Sequence, residues 1–350
     1  MFLKKINSGQ YWKIEIFKMK KTILVTGGCG FIGLNFIKLI LNARPDFKII
    51  NIDKITYAAN NNPINPKQAV NHYEFIKGDI NDQQLLNSIF SKEKPEYVVH
   101  FAAETHVDRS IDNAKPFIET NINGTYSLLE TQRRYPTKIF VHISTDEVYG
   151  ETLTGTSAPI ENSALNPSNP YSVSKAAADM MVKAYSRTYG LNFITLRLCN
   201  NYGPSQYPEK LIPLMIKNII SNKKLPIYGK GDQIRDWLYV EDTANAILKT
   251  LEKGQIGKIY NVGAQQKFTN LEVVRTLCKL YSEITLTDPK IIENLIEFVK
   301  DRPGHDYRYD LNDNLFRNQT GWKPNVSFNQ GIEKTLDWYI ANPLQQNNEI

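Results

Sequence analysis

The stretch Lys21-Thr22-Ile23-Leu24-Val25-Thr26-Gly27-Gly28-Cys29-Gly30-Phe31-Ile32-Gly33 decides the fold. Its opening residues are mostly apolar and β-branched, the pattern of a strand buried on both faces. Gly27, Gly30 and Gly33 then follow at a G-x-x-G-x-x-G spacing, and apolar residues recur at the helical period to about Leu41. A strand, a glycine turn and a helix in this order bring a helix N-terminus to the end of a strand. The missing Cβ atoms let the backbone approach a pyrophosphate and let helix and strand pack closely. The spacing departs by one residue from G-x-G-x-x-G, so the turn alone is weak evidence.

The next strand supplies an independent test. Lys48-Ile49-Ile50-Asn51-Ile52 ends at Asp53, 20 residues past Gly33. A carboxylate there can accept hydrogen bonds from an adenosine ribose and would repel a 2′-phosphate, which reads as NAD rather than NADP. Lys54 points the other way, and Asp53 as a plain turn residue stays open. The alternation then repeats. Residues 73–77 run into Gly78-Asp79-Ile80, where Asp79 could meet the adenine edge. Residues 97–101 run into Ala102-Ala103-Glu104, whose two small alanines allow a cofactor to pass close. Residues 138–144 and 191–198 are further apolar runs, so at least six strands alternate with helices. That is the pattern of an α/β fold with a doubly wound parallel sheet.

Thr145-Asp146-Glu147 follows the run 138–144 and so lies at the carboxyl end of a parallel strand, the edge where open α/β sheets bind ligands. Two adjacent carboxylates can divide acid and base work, one giving a proton while its neighbour takes one. A turn or a helix cap is the plainer role for such a pair. Tyr171 and Lys175 stand four apart behind Pro170, which suits a first helical turn, so both side chains share one face. An ammonium beside a phenol of free pKa about 10, together with a positive nicotinamide ring, favours phenolate, a base usable near neutrality.

Together these segments resemble the extended short-chain dehydrogenase/reductases and, among them, the nucleotide-sugar 4,6-dehydratases of the dTDP-glucose branch, over about residues 20 to 340. Further matching stretches are 101–110, Ser144 to Gly150, Asn200-Asn201-Tyr202-Gly203-Pro204, Pro208 to Pro213, Arg235 to Asp242 and Asp301 to Asp306. The glycine turn and the Tyr/Lys pair define only the superfamily. Thr-Asp-Glu and Arg-Asp-Trp point to the dehydratases. Departures are small: Cys29 in place of alanine, Thr105 in place of serine, Leu198-Cys199 before the asparagine pair, and a tyrosine in 306–309 where arginine is common. They leave thymidine against uridine open, with thymidine favoured by the Arg-Asp-Trp and Arg-Pro-Gly-His segments.

The resemblance implies a Rossmann-type sheet with a smaller, discontinuous α/β substrate-binding domain. Residues 19–198 plus about 236–265 would bind NAD, and about 199–235 plus 266–342 the nucleotide sugar. It implies catalysis by Thr145, Asp146, Glu147, Tyr171 and Lys175. Tyr171 takes the sugar 4-hydroxyl proton, Thr145 positions that hydroxyl, Glu147 removes the C5 proton and protonated Asp146 donates to the departing 6-hydroxyl, with NAD regenerated at the end. The implied cofactor set is Gly27, Gly30, Phe31, Ile32, Gly33, Asp53, Asp79, Ile80, Ala102, Ala103, Thr120, Tyr171, Lys175 and Asn201. For the nucleotide-diphosphate hexose it is Glu104, Thr145, Asn200, Lys210, Leu211, Arg235, Asn270, Arg302 and His305, the two arginines suiting a diphosphate through their forked donors. Helices near 113–134 and 170–189 match the family's dimer-forming pair, so a homodimer is expected. A nucleotide-sugar epimerase or decarboxylase shares the fold, and a non-catalytic dinucleotide sensor is the reading from another class.

Composition is compatible with this. A chain of 350 residues with 41% hydrophobic content can hold a large α/β core and a smaller lobe. The net charge of +6 is modest and spread out, with no basic cluster to suggest nucleic acid. Three scattered cysteines suit a reducing compartment, read as the cytoplasm, and offer no metal site. Residues 1–18 read as a flexible extension before a natural start at Met19, without signal-peptide character. The polar Asn60–Asn71 segment reads as a loop and 343–350 as a frayed tail. No run is long and apolar enough for a membrane.

Overall fold

Twelve strands are present among the residues that the computed structural model describes, 21–60, 64 and 72–342. The extension 1–18, most of the 60–71 loop and the tail 343–350 lie outside those residues. The strands are β1 (Lys21–Thr26), β2 (Phe47–Asp53), β3 (Tyr73–Lys77), β4 (Tyr97–His100), β5 (Ile139–Thr145), β6 (Phe193–Leu198), β7 (Asn200–Tyr202), β8 (Leu225–Tyr228), β9 (Ile234–Tyr239), β10 (Lys258–Val262), β11 (Lys267–Thr269) and β12 (Ile296–Val299).

Seven of them form one parallel sheet in the order β10-β6-β5-β4-β1-β2-β3. The continuous apolar runs read from the sequence are these strands. Ile23, Leu24 and Val25 have no exposed surface, because helices cover both faces of the sheet. On one face Phe36, Ile37 and Ile40 of helix Phe31–Ala43 pack with Ala244, Ile247 and Leu248 of helix Val240–Lys253. On the other, Leu86, Ile89 and Phe90 of helix Gln83–Glu93 pack with Leu128, Leu129 and Val182. Burying each such side chain contributes about 1.5–3 kcal/mol. The strand order turns back between β1 and β4, which opens a crevice at their carboxyl ends.

One helix differs from its sequence reading. The segment near 113–134 is not one regular helix; after the short helix Val107–Asp112 it runs as Lys115–Phe117, a π-helical stretch Ile118–Gly124, and then Thr125–Arg134. The wide turn carries Asn121 into the interior, where its amide bonds the backbone of Glu104 in both directions (2.9 and 3.0 Å) and the Ser174 hydroxyl (2.8 Å). Packing of one buried amide thus overrides the regular helix period, and π-turns concentrate at functional sites.

A second core collects Ile212, Met215, Ile216, Leu225, Val273, Leu277, Ile332 and Leu336. All but Leu225, which opens β8, come from helices Leu211–Ile220, Asn270–Thr285 and Phe328–Ala341, packed with the small sheets β11-β9-β7 and β12-β8. Two of these helices begin with reciprocal capping boxes, Thr269 with Glu272 and Ser327 with Gln330. Residues 258–262 return to the large sheet as β10, so the chain visits the second core on both sides of that strand.

Candidate active site

One cleft of about 1110 Å³ opens at the switch point and is lined by every residue singled out in the sequence as a cofactor, catalytic or substrate group. Its parts differ in how they are made.

The glycine turn is a cradle of backbone. Gly27 has φ +71°, and a Cβ there would sit 2.5 Å from the Ala102 nitrogen. A Cβ at Gly33 would lie 2.5 Å from the Gly27 carbonyl. Gly30 starts helix Phe31–Ala43 with no side chain over its first N–H groups, which are donors suited to a phosphate. Asp53 accepts from the Cys29 and Ile55 amides, both at 2.8 Å, so its carboxylate also fastens the turn, and burial raises its pKa. Lys54, which had argued for a 2′-phosphate, pairs with Asp79 at 2.7 Å instead. A backbone cradle, a carboxylate at the second strand and small Ala102 and Ala103 fit a dinucleotide.

The floor is made of buried ionisable groups. Thr145 caps the short 3-10 helix Asp146–Tyr149, its Oγ1 accepting from the Glu147 amide at 3.3 Å. Asp146 is 2% exposed, and its Oδ2 has no hydrogen-bond partner among the described residues. Burial, then the charge of Glu147, holds its carboxyl well above the usual range, which favours the protonated acid. Opposite stands helix Pro170–Tyr189, started by an Asn169 capping box that contributes about 1 kcal/mol. Tyr171 on it lines the same cleft as Thr145. Lys175 Nζ donates to the Ile143 carbonyl at 2.6 Å, and burial pushes its pKa down to about 8 against the pull of Asp179.

The protein's own groups act on the phenol against the neighbouring ammonium. Burial and the negative charge of Glu147 raise the Tyr171 pKa, so the protein's own groups favour the neutral phenol over phenolate. The cause is tertiary: the spacing from Lys175 is local, whereas burial and the carboxylate across the cleft are not. Tyr309 was not singled out. Its hydroxyl donates to Asp306 Oδ2 at 2.7 Å and lies 3.5 Å from Glu147 Oε2. It sits three residues past the Asp301–Asp306 motif, but nothing local in the sequence aims it at residue 147.

The far wall is made of long side chains from distant segments. Arg235 is buried, its guanidinium bonded to the carbonyls of Ile234, Tyr307 and Asp306 and stacked 4.2 Å from the Tyr309 ring. No carboxylate pairs with it among the described residues, which leaves its charge for an anionic ligand. Arg302 is shared with Asp108 (3.1 Å), and His305 takes Asp301 (2.7 Å). Lys210 donates to the Thr105 carbonyl at 2.6 Å. Asn270 meets Gln233 at 3.4 Å. The Asn201 amide is engaged internally by the Cys199 carbonyl and the Thr243 hydroxyl. Across the mouth, Arg109 stacks 3.8 Å over Tyr57 and both reach Glu209, a clasp that the sequence did not reveal. Among the described residues no group of side chains could hold a metal ion, and no helix is long and apolar enough to cross a membrane.

A family profile described as GDP-mannose 4,6 dehydratase matches residues 24–335. The chain is 49% identical over 332 residues to dTDP-glucose 4,6-dehydratase of Haemophilus influenzae, covering 91% of this chain and 98% of that one. In structure it resembles dTDP-glucose 4,6-dehydratase of Bacillus anthracis, solved in complex with NAD, at TM-score 0.84 and 42% identity over 93% of this chain and 98% of that one. It also resembles the Streptomyces venezuelae enzyme of the same name, solved with NAD bound, at TM-score 0.85 and 40% identity over 92% and 97% of the two chains.

Proposed function

From the premise that the chain belongs to the GDP-mannose 4,6 dehydratase family, we propose that it converts dTDP-glucose to dTDP-4-keto-6-deoxyglucose with NAD as a resident cofactor. The observation that carries this is Asp146, a buried carboxyl with an oxygen unpartnered among the described residues, its pKa raised by burial and by Glu147 beside it, within the same cleft as Tyr171. Epimerisation at C4 needs no such pair. Loss of water does, because one group must take the C5 proton while another supplies a proton to the leaving oxygen.

The glycine cradle, Asp53 and the alanine pair would hold the dinucleotide, with Phe31, Ile32, Asp79, Ile80, Thr120 and Asn201 along its length. When bound, NAD supplies a two-electron acceptor and donor, and its oxidised ring carries a positive charge that favours the Tyr171 phenolate. Tyr171 accepts the 4-hydroxyl proton, with Thr145 orienting that hydroxyl and the Lys175 ammonium stabilising the phenolate from one helical turn away. A C4 ketone acidifies the C5–H bond. Glu147 takes the C5 proton, the C6–O bond breaks, and Asp146 gives its proton to the departing oxygen so that water leaves; return of the hydride to C6 and of a proton to C5 would then give the 4-keto-6-deoxy product and restore NAD. Arg235 and Arg302 bind the diphosphate. Glu104, Asn200, Lys210, Leu211, Asn270 and His305 surround the rest of the substrate.

Incubation of the purified protein with dTDP-glucose should give a product lighter by one water, with no net loss of NAD. A product of unchanged mass would show an epimerase, and no turnover would favour a sensor. Exposed Ile118, Tyr126, Val173 and Met180 on the helices around 118–134 and 170–189 support a homodimer through that face. Light scattering at the mass of a single chain would remove that part. Buried cysteines without disulfides suit a reducing compartment such as the cytoplasm.

A further inference from the structure

Behind the cleft lies a buried polar network that lines no part of it. Asp179 stands four residues past Lys175, as Lys175 stands four past Tyr171, so the three share one helix face. Asp179 Oδ2 accepts from Arg197 Nε at 2.8 Å, and its Oδ1 lies 3.3 Å from His142 Nε2. Arg197, on β6, directs its second branch to the Tyr149 hydroxyl (2.8 Å) and the Glu161 carbonyl (3.1 Å). Tyr149 closes the short helix that begins at Asp146 and donates in turn to Asn261 Oδ1 on β10 at 2.7 Å. All five side chains are at most 5% exposed.

Replacing a buried ion pair with apolar groups is often neutral or stabilising, so stability alone is a weak reason for this one. What it has is direction. The arginine fork bonds one group on the helix of Tyr171 and Lys175 and another on the turn of Asp146 and Glu147, the two elements whose side chains must meet in front. The helix has other anchors, including its Asn169 cap and the Lys175 bond to Ile143. The turn is four residues long and is held from behind at Tyr149. The geometry points to Tyr149 as a positioning residue that, through Arg197 and Asp179, sets the acid and base carboxylates in register with the Tyr171 helix. This rests on the dehydratase reading and adds a residue outside the cleft to it.

The test uses the full-length, NAD-loaded Tyr149→Phe protein with dTDP-glucose. Oxidation at C4 depends on the helix and elimination on the turn, so the two steps should separate. Turnover should fall about 10- to 100-fold, the range a small misplacement of reacting groups produces, with KM nearly unchanged. Bound reduced nicotinamide should accumulate by absorbance, and solvent deuterium should enter C5 slowly. Arg197→Lys keeps a cation for Asp179 but loses the branch to Tyr149; it should show the same split and carries the test if Tyr149→Phe gives no cooperative melt. Unchanged turnover overturns the proposal. So does a proportional slowing of both steps, the result of a merely structural role. A wild type that releases no water would instead remove the dehydratase reading, a different outcome from a working wild type whose variants show no split.

Discussion

The cradle and the floor of the cleft hold their ligands by opposite means. Around Gly27, Gly30 and Gly33 the recognising groups are backbone amides and absent Cβ atoms, none of which titrates in the working range. Further along the same cleft, Asp146, Tyr171 and Lys175 are buried side chains whose ionisation is set by what surrounds them. A cradle of backbone suits a cofactor that is gripped throughout turnover. A floor of perturbed acids and bases suits a substrate whose protons must move. Binding and chemistry here should therefore fail separately.

The largest effect should come from Gly33→Val. Any Cβ at this position meets the Gly27 carbonyl at 2.5 Å and the Gly28 Cα at 2.9 Å, both backbone atoms that cannot swing aside. The turn must open, and the pyrophosphate donors move with it. The purified variant should lack NAD by absorbance and chromatography, and its activity without added NAD should fall at least about 100-fold. Excess NAD should restore part of that activity, because the floor is untouched. A Gly33→Val protein purified with a full complement of NAD would falsify the cradle reading.

The same contrast explains what could be read before any coordinates. The cradle was legible because its signal is short: one strand, three glycines at fixed spacing and a carboxylate at the end of the next strand. Six of the seven strands of the large sheet are legible in the sequence for the same reason, and residues 259–262 read as a strand returning to it. The positions of Thr145, Asp146, Glu147, Tyr171 and Lys175 at one strand end and one helix start were likewise local. Their ionisation was not. The Tyr171 pKa rises because of burial and Glu147, which stands 24 residues away in the chain. Tyr309, 162 residues from Glu147, and the clasp of Tyr57, Arg109 and Glu209 belong to segments that only the tertiary fold brings together. The break at 118–124 was hidden because a π-turn made to bury Asn121 has no period of its own.

A smaller effect, in the native protein, should separate the two regions by pH alone. Lys175 loses its charge above about 8, below the ordinary lysine value, because burial disfavours the ammonium. Asp146 has the opposite shift from the same cause, its pKa raised, so that it too gives up its working proton as pH rises. Both changes act in one direction. Below the Lys175 value the ammonium is in place; above it the phenolate loses its neighbouring cation, and turnover should fall by up to about tenfold per pH unit. Retention of NAD should not follow, since the amides and glycines that form the cradle carry no proton to lose there. Measuring turnover and bound NAD on the same samples from about pH 7 to about pH 9.5 separates the two. Lys175→Arg, which stays charged throughout, assigns the limb: a fall that moves upward belongs to the amine, and one that stays belongs to another group. Turnover that stays flat over this interval would mean that neither buried group limits the reaction, and parallel loss of NAD would mean that the cradle and the floor are not independent.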